Sequence, residues 1–374
     1  MAIKQALTLV LTASVALLLS GCAGVPKPQL QGYATTYDEV KAAATAVYED
    51  AAPALDGARG ITPTSLAFPV TLGPGSFDRE GCGRLIASDV DLHIRCQALF
   101  ALKNYNQALL DLSSGKTLSE PMALIDNVGK SLDTILTLAP ASVAAALPVA
   151  AITAAIPALK AVAGEALKAQ DRAALLAKLL EGEPAIRAFI GALRTDINNL
   201  YVLHRTFASN QLVELTRSIN KQLGLIGRSV GGFSPPTDPA VESLYLALGE
   251  KFERVFSSPE PEIKSVFRVK NLVFKAPGSA PALDTESVRL MEVTLSSMAE
   301  NVTRFKAVGT RYQVSVAALT RFDEMLTTLE KSFNALIKAS QQVFATGGGT
   351  EQALQSLAVL KDQAREIRRL LDTK

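Results

Sequence analysis

The chain has 374 residues, 48% apolar and 20% charged, which is ample for a core and speaks against general disorder. Its 38 Lys and Arg nearly balance 36 Asp and Glu, leaving a formal charge of +2, and no basic stripe interleaved with aromatics appears. With no tryptophan and 6% aromatics, that balance argues against nucleic-acid binding and against a carbohydrate- or base-stacking platform.

Met-Ala-Ile-Lys-Gln opens the chain with one positive charge, Lys4, and an apolar run from Ala6 to Leu19 follows. A run of about fourteen residues suits the hydrophobic region of a secretory signal and is short for a membrane span. Leu19-Ser20-Gly21-Cys22 then sets small residues before a thiol. This resembles the lipobox of bacterial lipoproteins, over residues 1–22 alone. The resemblance implies cleavage before Cys22 and acylation of that residue. Several acyl chains anchor firmly, since each buried methylene contributes roughly 0.8 kcal/mol. Ala23, where Asp often marks inner-membrane retention in that class, implies the outer membrane and a periplasm-facing body; inner-membrane retention and surface exposure remain the alternatives. Gly24 to Thr35, with Pro26 and Pro28, reads as a tether of at most ~3.5 Å per residue. The expected organisation is a signal over 1–21, a lipidated Cys22 and tether over 22–35, and one elongated helical domain over 36–374.

Helix signals dominate that domain. Thr36 and Glu39 in "TTYDEV" have capping-box spacing, predicting a helix from Tyr37 to about Ala52, where Pro53 interrupts it. Residues 57–84, rich in Gly, Pro and Ser, read as a loop. Ser88 with Asp91 starts a helix presenting Leu92, Cys96, Leu99, Leu102, Leu109 and Leu112, and Ser119 with Pro121 opens another. Cys82 and Cys96 are the two remaining cysteines, and an exported chain meets an oxidising compartment. The simplest pairing is with each other, worth about 3 kcal/mol in the chain-entropy model. Two separate thiols, or a metal pair with His93, are the alternatives.

From Thr134 to Leu159 there is no charge, and Pro140, Pro148 and Pro157 punctuate the run. Its length meets the criterion for a membrane span, but three prolines argue for two short helices joined near Pro148. The expectation is a hydrophobic hairpin over 134–164, either buried between longer helices or membrane-active.

Glu181 to Ile226 repeats apolar residues at intervals of three and four, with His204 on that seam, and reads as one long bundle helix. Residues 227–240 form a loop, with Asp238-Pro239 capping the next helix. Residues 257–285 are a further loop, in which 265–275 could form a small β-hairpin turning at Lys270-Asn271. Glu286 to Ala345 has no proline and one glycine, Gly309. Its apolar seam from Met291 to Val343 predicts a helix ~90 Å long if unbroken, or one that folds back near Gly309. The three-residue step from Leu319 to Phe322 is a stammer. "TGGGT" at 346–350 then reverses the chain into a last helix with Leu357, Leu360, Ala364, Ile367 and Leu371 in heptad spacing. The fold class is therefore mainly α: an elongated antiparallel bundle with long coiled-coil-like C-terminal helices.

Chemistry is sparse. His204 reads as a helix-interface histidine. His93 shares a helical face with Asp89, a pair that could ligate a metal only with further ligands, and none is evident. No G-x-S-x-G, H-E-x-x-H, P-loop or G-x-G-x-x-G motif occurs. The reading is a non-enzymatic protein with no catalytic, metal or cofactor site. It predicts an outer-membrane-anchored scaffold or interaction module of the cell envelope, with an envelope protein as partner and no nucleic acid. A pore-forming-like bundle acting through residues 134–159, and a carrier of a lipid or other apolar ligand, are the two alternatives.

Overall fold

The computed structural model describes residues 27–58, 90–114, 116–138, 150–256, 280–342 and 350–372. Within them lie nine helices: α1 (Lys27–Ala58), α2 (Val90–Ser114), α3 (Ser119–Leu138), α4 (Ala150–Ala166), α5 (Arg172–Glu181), α6 (Glu183–Gly232), α7 (Pro239–Phe256), α8 (Thr285–Gln342) and α9 (Thr350–Asp372). Among the described residues there is no strand, only a single bridge between Ser234 and Ala282. The protein is an all-α helical bundle. The β-hairpin expected at 265–275 lies outside the described residues, as do the lipobox, Cys82 and the join near Pro148.

Where the sequence predicts one domain, the chain divides into two compact units: residues 1–204 with 314–374, and residues 205–313. In the first unit, α2 packs against α1, α3 and α5, while α9 lies along α1 and α4 joins α3 to α5. Asp38 of α1 meets Lys103 of α2 at 2.7 Å, and Lys41 sits 5.3 Å over the Phe100 ring. As numbers rise on α1 they fall on α2, so the two are antiparallel. Arg194 of α6 meets Asp323 of α8 at 2.9 Å, and Arg187 reaches Asn334, so this pair is antiparallel as well. Tyr48, Leu99, Leu102, Tyr105, Phe189, Phe322, Leu326 and Phe333 fill the core between them. The Tyr48 and Phe322 rings meet edge to face, with centroids 5.7 Å apart and planes at 88°.

The second unit has its own core, built from Ile219, Ile226 and Val230 of α6, Val241, Leu248 and Phe252 of α7, and Val288, Met291, Leu295, Met298 and Val302 of α8. Asn301 donates to Ser218 and Gln222 at 3.1 Å, keeping α8 antiparallel to α6 here too. Ser234 donates to the Pro281 carbonyl and accepts from the Leu283 N–H, bringing the starts of α7 and α8 to the same end. Asp284 caps α8 through the Ser287 N–H at 2.7 Å, and Asp238 caps α7 as the sequence predicts.

Several boundaries differ from expectation, each for a packing reason. α1 begins at Lys27, so the 22–35 tether is helical over much of its length, and residues 57 and 58 end the helix rather than open a loop. Pro28 falls in the first turn, where its missing N–H has no intrahelical acceptor to serve. Thr36 and Glu39 are thus inside a helix and form no capping box: Thr36 is buried, and Glu39 faces Arg365 and Arg368 of α9. Pro53 lies within α1 because the buried Ala51 and Ala54 around it keep the turn packed. The 227–240 loop starts only after Gly232, since the buried Ile226 and Val230 hold the last turns of α6. α8 runs through Gly309 without folding back; a glycine costs a helix interior about 1 kcal/mol, less than the packed turns on either side contribute.

Among the described residues, one glycine is sterically required. Gly182 caps α5, its N–H reaching the Lys178 and Leu179 carbonyls, and α6 starts at the next residue. A Cβ there would stand 2.5 Å from Val162 Cγ1 and 2.7 Å from the Tyr105 hydroxyl, whereas nothing lies within 4 Å of one at Gly309. Gly182→Ala therefore loses about 1–3 kcal/mol in urea unfolding through overpacking, while Gly309→Ala gains about 0.5–1 kcal/mol from helix propensity. Equal effects at the two positions would refute this assignment.

Candidate functional site: hydrophobic hairpin, buried ion pair and cysteines

The uncharged stretch contributes to two packed arms. The expected first short helix is instead the end of the 20-residue α3, and the second arm is α4. Asp133 of α3 pairs with Lys160 of α4. The bulky residues of both arms point inward: Ile125, Val128, Leu132, Ile135, Ile152, Ile156 and Leu159 are all fully buried. The outward side of α4 carries Ala154, Pro157, Ala158, Ala161 and Gly164, and among the large apolar residues of these arms only Leu136 is exposed, at 40%. Small outward residues leave little apolar area to be driven from water. No described helix is long and apolar enough to cross a membrane.

The direction of the hairpin follows from its neighbours. α2 and α3 are joined by residues 115–118, a connection so short that they must be antiparallel. α2 is itself antiparallel to α1, with the 38–103 and 41–100 pairs setting Lys27 level with the end of α2. The start of α1 and the start of α3 thus share one end of the first unit. Leu138, twenty residues along α3, lies about 30 Å further along the axis.

The interior of the same unit holds a charge pair that the sequence analysis missed. Arg95 Nε donates to Asp196 Oδ2 at 2.6 Å and its terminal nitrogen to Oδ1 at 2.7 Å, with both side chains at 1% exposure or less. A bidentate guanidinium–carboxylate contact is the strongest form of such a pair, and burial leaves neither charge an alternative in water. Nearby, the Tyr48 hydroxyl is buried without a hydrogen-bond partner among the described residues. Burial, with the Asp196 carboxylate adding to it and Arg95 opposing, holds this phenol far above its ordinary range. The adjacent Glu49 is pushed up to about 7 by burial. A signal for the pair existed: Arg95 falls three and four residues from Leu92 and Leu99, and Asp196 likewise from Leu193 and Leu200, so both sit on apolar seams.

Three of the singled-out residues lie among the described ones: Cys96, His93 and His204. Cys96 is 4% exposed on the inner face of α2 and is disulfide-bonded, whereas Cys82 lies outside the described residues. His93 meets Gln97 at 3.2 Å, its pKa lowered by burial, and Asp89 is not among the described residues. His204 is buried on the α6 seam, its Nε2 3.9 Å from Asp50 Oδ2. Among the described residues no group of three His, Cys, Asp or Glu side chains is placed to hold a metal ion. No family model matches the chain, and no similar curated protein or solved structure is found.

Two tests follow from the buried groups. Arg95→Met or Asp196→Leu alone strands the opposite charge in the interior and costs about 3–5 kcal/mol in urea unfolding, while the two substitutions together recover most of that. Additive losses in the double variant would contradict the pairing. For Glu49 the raised pKa means that the folded state binds the proton more tightly than the unfolded one. Its contribution to stability is whole below the unfolded value near 4.5 and is lost as pH rises through about 7. Glu49→Gln therefore raises Tm by a few degrees at pH 8 and leaves it unchanged at pH 4, read by thermal circular dichroism.

Proposed function

We propose that this protein is a lipoprotein anchored through acylated Cys22 in the outer membrane, and that its periplasmic helical body serves as a non-catalytic scaffold or docking module of the cell envelope. The observation that carries this reading is the start of α1 at Lys27, five residues after Cys22. Five residues span at most ~17 Å, so a body anchored at that cysteine is held directly against the membrane surface. A packed helix that close to an anchor suits a fixed platform better than a freely swinging domain. Long helices also present ridges into which partner helices fit, which supports an envelope protein as the partner.

The inward-facing Ile152, Ile156 and Leu159 weigh against membrane insertion of the hairpin. The axial offset of its far end from α1 weighs the same way, because about 30 Å exceeds what five residues can bridge. A carrier role has no support among the described residues beyond small side chains on α4. The inward-facing disulfide sulfur of Cys96 supports Cys82 as its partner, which leaves Cys22 as the cysteine available for acylation.

The test is metabolic labelling with a tagged fatty acid, combined with thiol titration. The wild-type chain takes up the label and fractionates with outer membrane, and Cys22→Ser loses the label. In that variant, purified without reductant, no thiol titrates until the protein is reduced. Label retained in Cys22→Ser refutes the anchor, and two titratable thiols before reduction refute the pairing.

A further inference from the structure

The outer faces of α6 and α7 in the second unit carry matching patterns of opposite charge. On α6 they are Arg217, Lys221, Gly224 and Arg228; on α7 they are Glu242, Leu246, Gly249 and Glu253. Each set follows the spacing i, i+4, i+7, i+11, which keeps four residues within a stripe about 60° wide. All eight residues are exposed, and Leu246 is 62% exposed, high for a large apolar side chain. None of the five charged side chains has an ion-pair partner among the described residues. Nothing lies within 4 Å of a Cβ built at Gly224 or Gly249, so both glycines are open notches.

We propose that the α6 stripe of one copy receives the α7 stripe of a second copy in antiparallel register. In that register Arg217 faces Glu253, Arg228 faces Glu242, and Leu246 enters the notch at Gly224. Lys221 lies over Gly249 beside the exposed Glu250. A parallel register also pairs the end charges, but it sets Leu246 against Lys221 and leaves both notches empty. It also aligns the two helix dipoles, which the antiparallel arrangement opposes. The two stripes of a single chain cannot meet, because the α6 stripe lies opposite the positions through which α6 packs on α7, Ile219, Ile226 and Val230, while the α7 stripe lies about 110° round its helix from Val241, Leu248 and Phe252. A second molecule is required.

The seam covers three helical turns, about 17 Å, which is small for a stable interface. Exposed charge pairs contribute modestly and are screened by salt. The association is therefore weak, concentration-dependent and salt-sensitive, and its specificity comes from the charge order. Because the stripes are on different helices, the contact forms either twice about a two-fold axis or head-to-tail along a row. It does not depend on the lipid anchor.

Sedimentation velocity of the purified full chain, over a range of protein concentration and at low and high ionic strength, tests the contact. Self-association is expected at low ionic strength and is weakened by salt. Arg217→Glu with Arg228→Glu weakens it about tenfold or more, and so does Glu242→Arg with Glu253→Arg. Mixing the two charge-reversed proteins restores it, because each reversed stripe then meets its complement. Leu246→Gln weakens association about as much without changing charge. Circular dichroism confirms that every variant is folded. A single species at all concentrations, association indifferent to either reversal, or folded variants that fail to recover on mixing would each overturn the proposal.

Discussion

Arg95 and Asp196 hold the first unit in register. Their residues are 101 apart in sequence, on α2 and α6, and their two hydrogen bonds of 2.6 and 2.7 Å leave both charges almost without water. A hydrophobic seam tolerates sliding by a turn, because leucine against leucine is nearly the same contact one turn along. A buried bidentate pair does not, since any slip strands a charge in the interior at a cost of several kcal/mol. With α2 placed against α6, α1 and α3 follow through their packing on α2, and α8 follows through Arg194–Asp323. Tyr48 fits the same arrangement, its ring packed on Phe322 and its hydroxyl beside the ion pair.

The second unit has no such buried charge pair among the described residues. Its core is mostly aliphatic and methionine side chains with Phe252, and its polar cross-links are exposed, as Gln222 to Ser297 and Lys251 to Glu292, or part-buried, as Asn301 to Ser218 and Gln222. Register here comes from the local clamp of Ser234 onto residues 280–283, which ties the ends of three helices with main-chain bonds. Such a unit leaves its outer faces free to vary, and it is there that unpaired charges of both signs gather in order.

Among the described residues no group of three His, Cys, Asp or Glu side chains is placed to hold a metal ion, and the ordered charges are either interior, as Arg95 and Asp196, or on outer faces, as the stripes of α6 and α7. The proposed function places its action in where the body is held and what its surfaces meet. The short span between Cys22 and α1 bears on the first, and the stripes of α6 and α7 bear on the second.

Periodicity made the long helices legible. Apolar residues at intervals of three and four identify α6, α8 and α9 because a helix must bury one stripe whatever it packs against, and Asp238 marks a helix start through local hydrogen bonding alone. The inward turn of the hairpin's isoleucines was open in the sequence, since an uncharged run reads the same whether protein or lipid covers it. Thr36 and Glu39 show the opposite case: a good local cap was overridden because α9 offered Glu39 two arginines and the core enclosed Thr36. Arg95 and Asp196 each stand on an apolar seam of the sequence, but only packing made them neighbours. The sequence by itself determined the helical class and the principal helices. Tertiary structure alone decided which faces are covered, how the chain divides into two units and which charges meet, because those depend on contacts between residues far apart along the chain.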